Sequence, residues 1–220
     1  MKNLKQNIIK FNHDKNFNYE DFYVSNSNKH ILDLFDNWPN WEKNFLNIIG
    51  ENFSGKTHLV NIFLKEKEGI IIQSNQLNEK NLANIKDFKN IILENVDNSI
   101  NEKLFYTLIN MIDQEDRYLI ITSNKPIVKI NFKLDDLRSR AKNFLLQNIE
   151  KPDDDLIYAI ILKNLSDRQI SVDNKLINFI VKRIDRSYSK IFDFIYKIDE
   201  LSLKKKKSID FKIIKEVLGD

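Results

Sequence analysis

One eight-residue segment has the residue types and the spacing that bind phosphate groups. Gly50, Gly55, Lys56 and Thr57 fit the pattern G-x-x-x-x-G-K-[ST], with Glu51-Asn52-Phe53-Ser54 between the glycines. In such a loop the glycines let backbone N–H groups surround a β-phosphate, the lysine adds a positive charge, and the threonine hydroxyl can bind Mg²⁺. The chain has only 4 glycines in 220 residues. Because two of them stand at the required positions, we interpret the segment as a P-loop rather than a chance match.

The residues on either side of the loop supply the strand and the helix that a P-loop requires. Residues 44–50 form a short apolar run typical of a buried strand, and residues 56–67 have a helical period. Further strands are predicted over residues 69–74, 90–96, 117–124 and 143–149, with a helix over residues 101–113. Short apolar strands that alternate with helices favour a parallel sheet covered on both faces. The predicted fold class is therefore α/β, with a five-stranded parallel sheet.

A change of pattern after residue 150 divides the chain. Helices without strands are predicted over residues 153–164, 173–184, 188–203 and 210–218. We therefore predict a flexible N-terminal arm over residues 1–16, an α/β domain over 17–150 and a small all-helical domain over 151–220.

Polar residues at the ends of two predicted strands are candidates for chemistry on a bound nucleotide. Glu94 ends the third strand, where a carboxylate could organise Mg²⁺ together with Thr57. Asn95 follows it, and an amide cannot act as the base for an attacking water. Asn124, at the end of the fourth strand, could reach a γ-phosphate. The alternative that Glu94 only ends a strand stays open.

The composition excludes several other classes of protein. With 35 basic and 32 acidic residues the net charge is +3, which argues against a surface devoted to nucleic acid. There is no Cys and there are only 3 His, so a thiolate or His-based metal site is not expected. The sequence has no long apolar run and no apolar signal core. We expect a cytoplasmic protein that does not associate with membranes.

Taken in order, these motifs resemble those of the DnaA/Hda family of AAA+ proteins over about residues 17–218. The resemblance rests on the P-loop, the Glu94-Asn95 pair, Thr122-Ser123-Asn124, the Leu137-Arg138-Ser139-Arg140 segment and the helical lid. It implies bound ATP or ADP with Mg²⁺. It also assigns nucleotide contacts to His58 and to the segment ahead of the P-loop that packs on adenine in the family, here Phe22, Val24 and Asn28.

Within this family the sequence is most similar to stand-alone Hda-type regulators. The resemblance implies a regulator of replication initiation that stimulates ATP hydrolysis by DnaA in complex with the sliding clamp, with DNA contacted mainly indirectly. Arg140 would act in trans as an arginine finger. A clamp-binding peptide is predicted at Gln6, Ile9 and Phe11. Whether the chain also forms a homo-oligomer is left open.

Two departures from the family pattern favour holding nucleotide over rapid turnover. Asn95 replaces the expected second acid, and Ser189 and Lys190 stand where the family's lid carries a nucleotide-sensing arginine. One alternative function is an independent P-loop ATPase such as a helicase loader, which would show robust ATPase activity and single-stranded DNA binding. A small-molecule kinase is a weaker alternative, because the predicted lid has few arginines.

Overall fold

A five-stranded parallel sheet forms the centre of the computed structural model, which describes residues 22–170, 172–205 and 209–219. The strand order is β2-β3-β4-β1-β5. The strands are β1 (Phe45–Ile49), β2 (Gly69–Gln73), β3 (Asn90–Val96), β4 (Tyr118–Ser123) and β5 (Leu145–Asn148). The α/β fold with five parallel strands is confirmed, and β3 has the predicted bounds.

Helices precede the first strand, connect the strands and follow the last strand. They are α1 (Lys29–Asp36), α2 (Lys56–Glu66), α3 (Glu79–Asn84), α4 (Glu102–Gln114), α5 (Asp135–Ala141), α6 (Asp154–Asp167), α7 (Asn174–Val181), α8 (Tyr188–Lys205) and α9 (Phe211–Leu218). Helices α1, α3 and α5 were not among the predicted elements. Each has at most eight residues, although α7 and α9, which are as short as α1, lie within helices that were predicted.

Alternate residues of the central strands bury their side chains on opposite faces of the sheet. On β3, Ile91 and Leu93 join one apolar cluster and Ile92 joins the other. On β4, Leu119 and Ile121 belong to the first cluster. This two-residue period is what a sheet covered on both faces requires. Because β1 and β3 both pair with β4 in parallel, the carboxyl ends of these three strands lie at one edge of the sheet.

The helices after β5 share a third apolar cluster, which includes Ile161, Ile177, Ile191 and Ile213. Three of these helices begin at an aspartate whose side chain accepts a hydrogen bond from a first-turn backbone N–H: Asp153 from Leu156 at 2.8 Å, Asp173 from Lys175 at 2.8 Å and Asp210 from Ile213 at 2.9 Å. Such caps satisfy donors that a helix leaves unpaired and so fix where each helix starts. In the part of the chain that the structure describes, no helix has the length and apolar character needed to cross a membrane.

Candidate functional site

The P-loop joins the end of β1 to the start of α2, as the motif requires. The N–H of Gly50 donates to the carbonyl of Ser123 on β4 at 3.1 Å, which ties the start of the loop to the sheet. A Cβ on Gly50 would lie 2.4 Å from Oγ of Ser54, so a larger residue there would force the Ser54 side chain to move. Gly55 precedes α2 with φ 93°, in the left-handed region that favours glycine. The loop is therefore held in a tight, fixed path at the N-terminus of a helix.

Lys56 lies buried inside this loop. Its ammonium donates to the carbonyl oxygens of Gly50 and Glu51, both at 2.7 Å, and to Oδ1 of Asn124 at 3.0 Å. Burial lowers the pKa of Lys56 from 10.5 to about 8, and the carboxylates of Glu94 and Glu51 partly offset this effect. The loop thus surrounds a cation whose present partners are neutral oxygens that an anion can replace.

Thr57 and Glu94 place two oxygen ligands side by side next to Lys56. The Thr57 hydroxyl donates to Oε1 of Glu94 at 2.6 Å. Hydroxyl and carboxylate oxygens are the ligands that Mg²⁺ prefers, with water and nucleotide phosphates completing its shell. No cluster of three His, Cys, Asp or Glu side chains forms a metal site among residues 22–170, 172–205 and 209–219. The arrangement fits an ion that arrives with a nucleotide rather than one held by protein ligands alone.

Asn124 and Asn95 lie at the same edge of the sheet. Asn124 bridges the loop, because its Oδ1 accepts from Lys56 and its Nδ2 donates to Oδ1 of Asn52 at 3.0 Å. Asn95 is exposed and has φ 59°, in a bulge of β3. Its Nδ2 donates to Oε1 of Gln73 at 2.9 Å. The structure therefore brings both predicted amides to the site.

The segment ahead of α1 contacts the P-loop through Phe22. The Phe22 ring packs edge-on against the His58 ring with centroids 5.0 Å apart, and it also lies against Gly55. Val24 is exposed. Asn28 is buried, and it accepts from the N–H of Ser25 and donates to the carbonyl of Tyr23, both at 3.0 Å. In the structure Phe22 faces the loop, whereas the Asn28 side chain holds its own turn together.

Three consecutive P-loop residues contact the lid, the helical segment after β5, at Ser187 just before α8 and at two residues within α8. Oε2 of Glu51 accepts from the Ser187 hydroxyl at 2.7 Å, and the carbonyl of Asn52 accepts from the Ser189 hydroxyl at 3.4 Å. The third contact is between aromatic rings: Phe53 stacks on Phe192 of α8 with centroids 4.8 Å apart and an interplanar angle of 22°. Lys190, beside Ser189, is exposed. The lid therefore meets the loop through small hydroxyls and one aromatic pair.

Arg140 lies at a different place from the P-loop residues. It is on α5, partly exposed, and its guanidinium pairs with Oδ2 of Asp113 on α4 at 2.5 Å. This position leaves it on the surface formed by α4 and α5. Gln6, Ile9 and Phe11 lie outside the described residues.

Sequence reasoning missed Gln73, Ser187 and Phe192. Gln73 could have been found, because β2 and β3 are adjacent parallel strands and the residues that end them lie side by side. No comparable signal in the sequence indicates Ser187 or Phe192, since their contacts depend on how the lid packs.

Solved structures with a similar fold include DnaA proteins. Domain III of the Thermotoga maritima replication initiation protein DnaA superposes with a TM-score of 0.70 at 19% identity, covering 93% of this chain and 96% of that one. AMPPCP-bound DnaA from Aquifex aeolicus gives a TM-score of 0.62 at 18% identity, covering 85% and 68%. These likenesses show the AAA+ fold.

Sequence comparison also finds DnaA proteins. DnaA from Caldanaerobacter subterraneus is 23% identical over 231 aligned residues, covering 93% of this chain and 52% of that protein. The chain is DnaA-like in sequence and has the AAA+ fold. An uncharacterised protein from Haemophilus influenzae is 22% identical over 213 residues, and the alignment covers 91% of this DnaA-like chain and 92% of that protein. No family model matches. The DnaA-like chain spans about half the length of the DnaA protein it matches.

Proposed function

We propose that this chain is a nucleotide-binding regulator of replication initiation that stimulates hydrolysis of the ATP held by DnaA. The observation that carries the proposal is the convergence of Lys56, Thr57 and Glu94 at the P-loop of a DnaA-like chain. A DnaA protein of the same fold was solved with AMPPCP bound, which supports a nucleotide at this loop.

The nucleotide would be ATP or ADP, with its phosphates at the N-terminus of α2. Phosphate oxygens would replace the carbonyls of Gly50 and Glu51 as partners of Lys56, because an ammonium pairs more strongly with an anion than with a neutral oxygen. Thr57 and Glu94 would hold Mg²⁺, which neutralises phosphate charge when bound. Phe22 and Val24 would offer apolar surface to the adenine.

Hydrolysis by the chain itself is expected to be slow. Asn95 stands where a second carboxylate would take a proton from the attacking water, and an amide has no basic site at neutral pH. Ser189 brings a hydroxyl rather than a guanidinium to the P-loop. Both features favour a protein that keeps its nucleotide.

Arg140 would act on the nucleotide of a neighbouring DnaA. Its ion pair with Asp113 is partly exposed, and exposed pairs contribute only about 0–1 kcal/mol. The guanidinium can therefore leave Asp113 at little cost and neutralise charge that develops on a γ-phosphate during hydrolysis. The DnaA that holds this ATP would be recruited together with the sliding clamp, which we expect Gln6, Ile9 and Phe11 to bind.

Hydrolysis of DnaA-bound ATP in the presence of clamp loaded on DNA tests the proposal. We expect wild-type protein to accelerate hydrolysis and Arg140→Ala to reduce this acceleration by about 10³-fold or more, since arginine fingers contribute about 10³–10⁵-fold. Arg183→Ala, on the lid, is the matched control and should behave like wild type. Wild-type protein that leaves DnaA-bound ATP intact would contradict the proposal. If it instead hydrolyses ATP rapidly by itself, the loader-type ATPase is the better function.

A further inference from the structure

Gln73 ends β2 beside the proposed Mg²⁺ ligands, and neither the P-loop motif nor the proposed function gives it a role. Strands β2 and β3 are parallel neighbours, and Gln73 is in register with Glu94. Glu94 is buried, with 3% of its surface exposed. The carboxamide of Gln73 therefore lies directly next to the acid that would organise the metal.

Two hydrogen bonds fix the orientation of this carboxamide. Nε2 of Gln73 donates to Oε2 of Glu94 at 2.7 Å, and its Oε1 accepts from Nδ2 of Asn95 at 2.9 Å. Thr57 donates to the other oxygen of Glu94 at 2.6 Å. A carboxamide has one donor group and one acceptor group. Gln73 uses its donor on Glu94 and its acceptor on Asn95, and both carboxylate oxygens of Glu94 have partners.

Hydrogen bonds fix the backbone of Asn95 as well as its side chain. Asn95 has φ 59°, in the left-handed region, which Asn adopts more readily than most residues with a side chain. Its N–H donates to Oγ1 of Thr122 at 3.0 Å, and its carbonyl accepts from Oγ of Ser74 at 2.7 Å. These two hydrogen bonds fix the Asn95 backbone where β3 bulges. The hydrogen bond to Gln73 completes this restraint.

We infer that Gln73 is a positioning residue that directs Glu94 toward the Mg²⁺ of a bound nucleotide and fixes the Asn95 side chain beside it. This inference rests on the proposed binding of nucleotide at the P-loop. Without Gln73 the Glu94 carboxylate keeps only its bond to Thr57 and can turn away from the ion. Residues that orient metal ligands in this way change metal affinity by about 10–100-fold when they are replaced.

Nucleotide binding measured with and without Mg²⁺ tests the inference in the full chain. The probe is a fluorescent ADP, titrated in EDTA and then across Mg²⁺ concentrations. Gln73→Leu removes both hydrogen bonds at similar volume. We expect it to raise about tenfold the Mg²⁺ concentration that gives half of the maximal change in ADP affinity. Affinity in EDTA should stay within about twofold of wild type, because Lys56 and the loop backbone are untouched. Gln114→Leu, at the end of α4, is the control and should leave both values unchanged.

A merely structural role for Gln73 gives a different result. In that case affinity falls equally with and without Mg²⁺, or the Mg²⁺ dependence does not move, and either result overturns the inference. Gln73→Met, which also lacks hydrogen-bonding groups, serves if the leucine variant does not fold. Wild-type protein that binds no nucleotide in either condition would instead overturn the proposed function, and the inference with it.

Discussion

Lys56 is the residue whose charge state should control nucleotide binding. Burial lowers its pKa to about 8, so at pH 8 Lys56 is neutral in about half of the molecules. Phosphate binding requires the charged form, so affinity falls as pH rises through 8, by up to about tenfold per further unit. Below about pH 7 the lysine is charged and its contribution to affinity should be constant.

Titration with ADP between pH 6.5 and 9.5 checks this dependence. Lys56→Arg is the control, because a guanidinium stays protonated throughout this range. Whatever its absolute affinity, that variant should lose the pH dependence. Wild-type affinity that stays constant to pH 9.5 would show that Lys56 does not titrate as the structure indicates.

Asn95 is the residue that should limit ATP turnover. Asn95→Asp restores a carboxylate that can accept a proton from water, and general-base catalysis contributes about 10²–10⁴-fold. We expect the rate of ATP hydrolysis to rise at least tenfold. The rise should fall short of the full range, because Gln73 presents an acceptor rather than a donor to the new carboxylate and so positions it poorly. Asn98→Asp adds the same charge three residues away and should have no effect. Equal rates in wild type and Asn95→Asp would mean that another step limits hydrolysis.

The contact between the P-loop and the lid is the element-scale feature that should control nucleotide release. Phe53 has φ 67° and is 59% exposed, yet it stacks on Phe192 of α8. A stacked aromatic pair contributes about 0.5–1.5 kcal/mol, which corresponds to about 2–13-fold in a rate. We expect Phe192→Ala to accelerate release of a fluorescent ADP within this range, measured by stopped flow.

Tyr196 supplies a matched control for this prediction. It lies one turn further along α8 and is 53% exposed. Tyr196→Ala should release nucleotide at the wild-type rate. If both alanine variants, or neither, accelerate release, the stack on Phe53 is not what holds the lid to the loop.

A buried asparagine joins β1 to the segment that follows β4. Nδ2 of Asn47 donates to Oγ of Ser123, and its Oδ1 accepts from the N–H of Ile127, both at 2.8 Å. Asn47→Ala leaves these groups unpaired in the core, so the free energy of unfolding should fall by about 1–3 kcal/mol. Asn44→Ala, which removes a surface hydrogen bond to Asp116, should cost less than about 0.5 kcal/mol. Urea unfolding measures both, and equal values would contradict this interpretation of Asn47.

At the scale of the whole molecule, the sequence predicted what is contiguous and missed what is assembled from separate segments. The P-loop and β3 could be read directly, because motif and hydrophobic period are local properties. The short helix α5, which carries Arg140, was not predicted, because Leu137 and Ala141 are its only buried residues and two positions do not establish a period. Gln73 and Phe192 come to the site from β2 and α8, and their contacts depend on strand register and lid packing.

Everything proposed here depends on the P-loop of this chain holding a nucleotide. Calorimetric titration of ADP in the presence of Mg²⁺ into wild type and Lys56→Ala measures that property alone. We expect wild type to bind one ADP per chain and Lys56→Ala to lose at least about tenfold in affinity, because the loop then lacks its only buried cation among the described residues. A wild-type chain that binds no ADP, or a Lys56→Ala variant that binds it equally well, would show that this loop is not a nucleotide site.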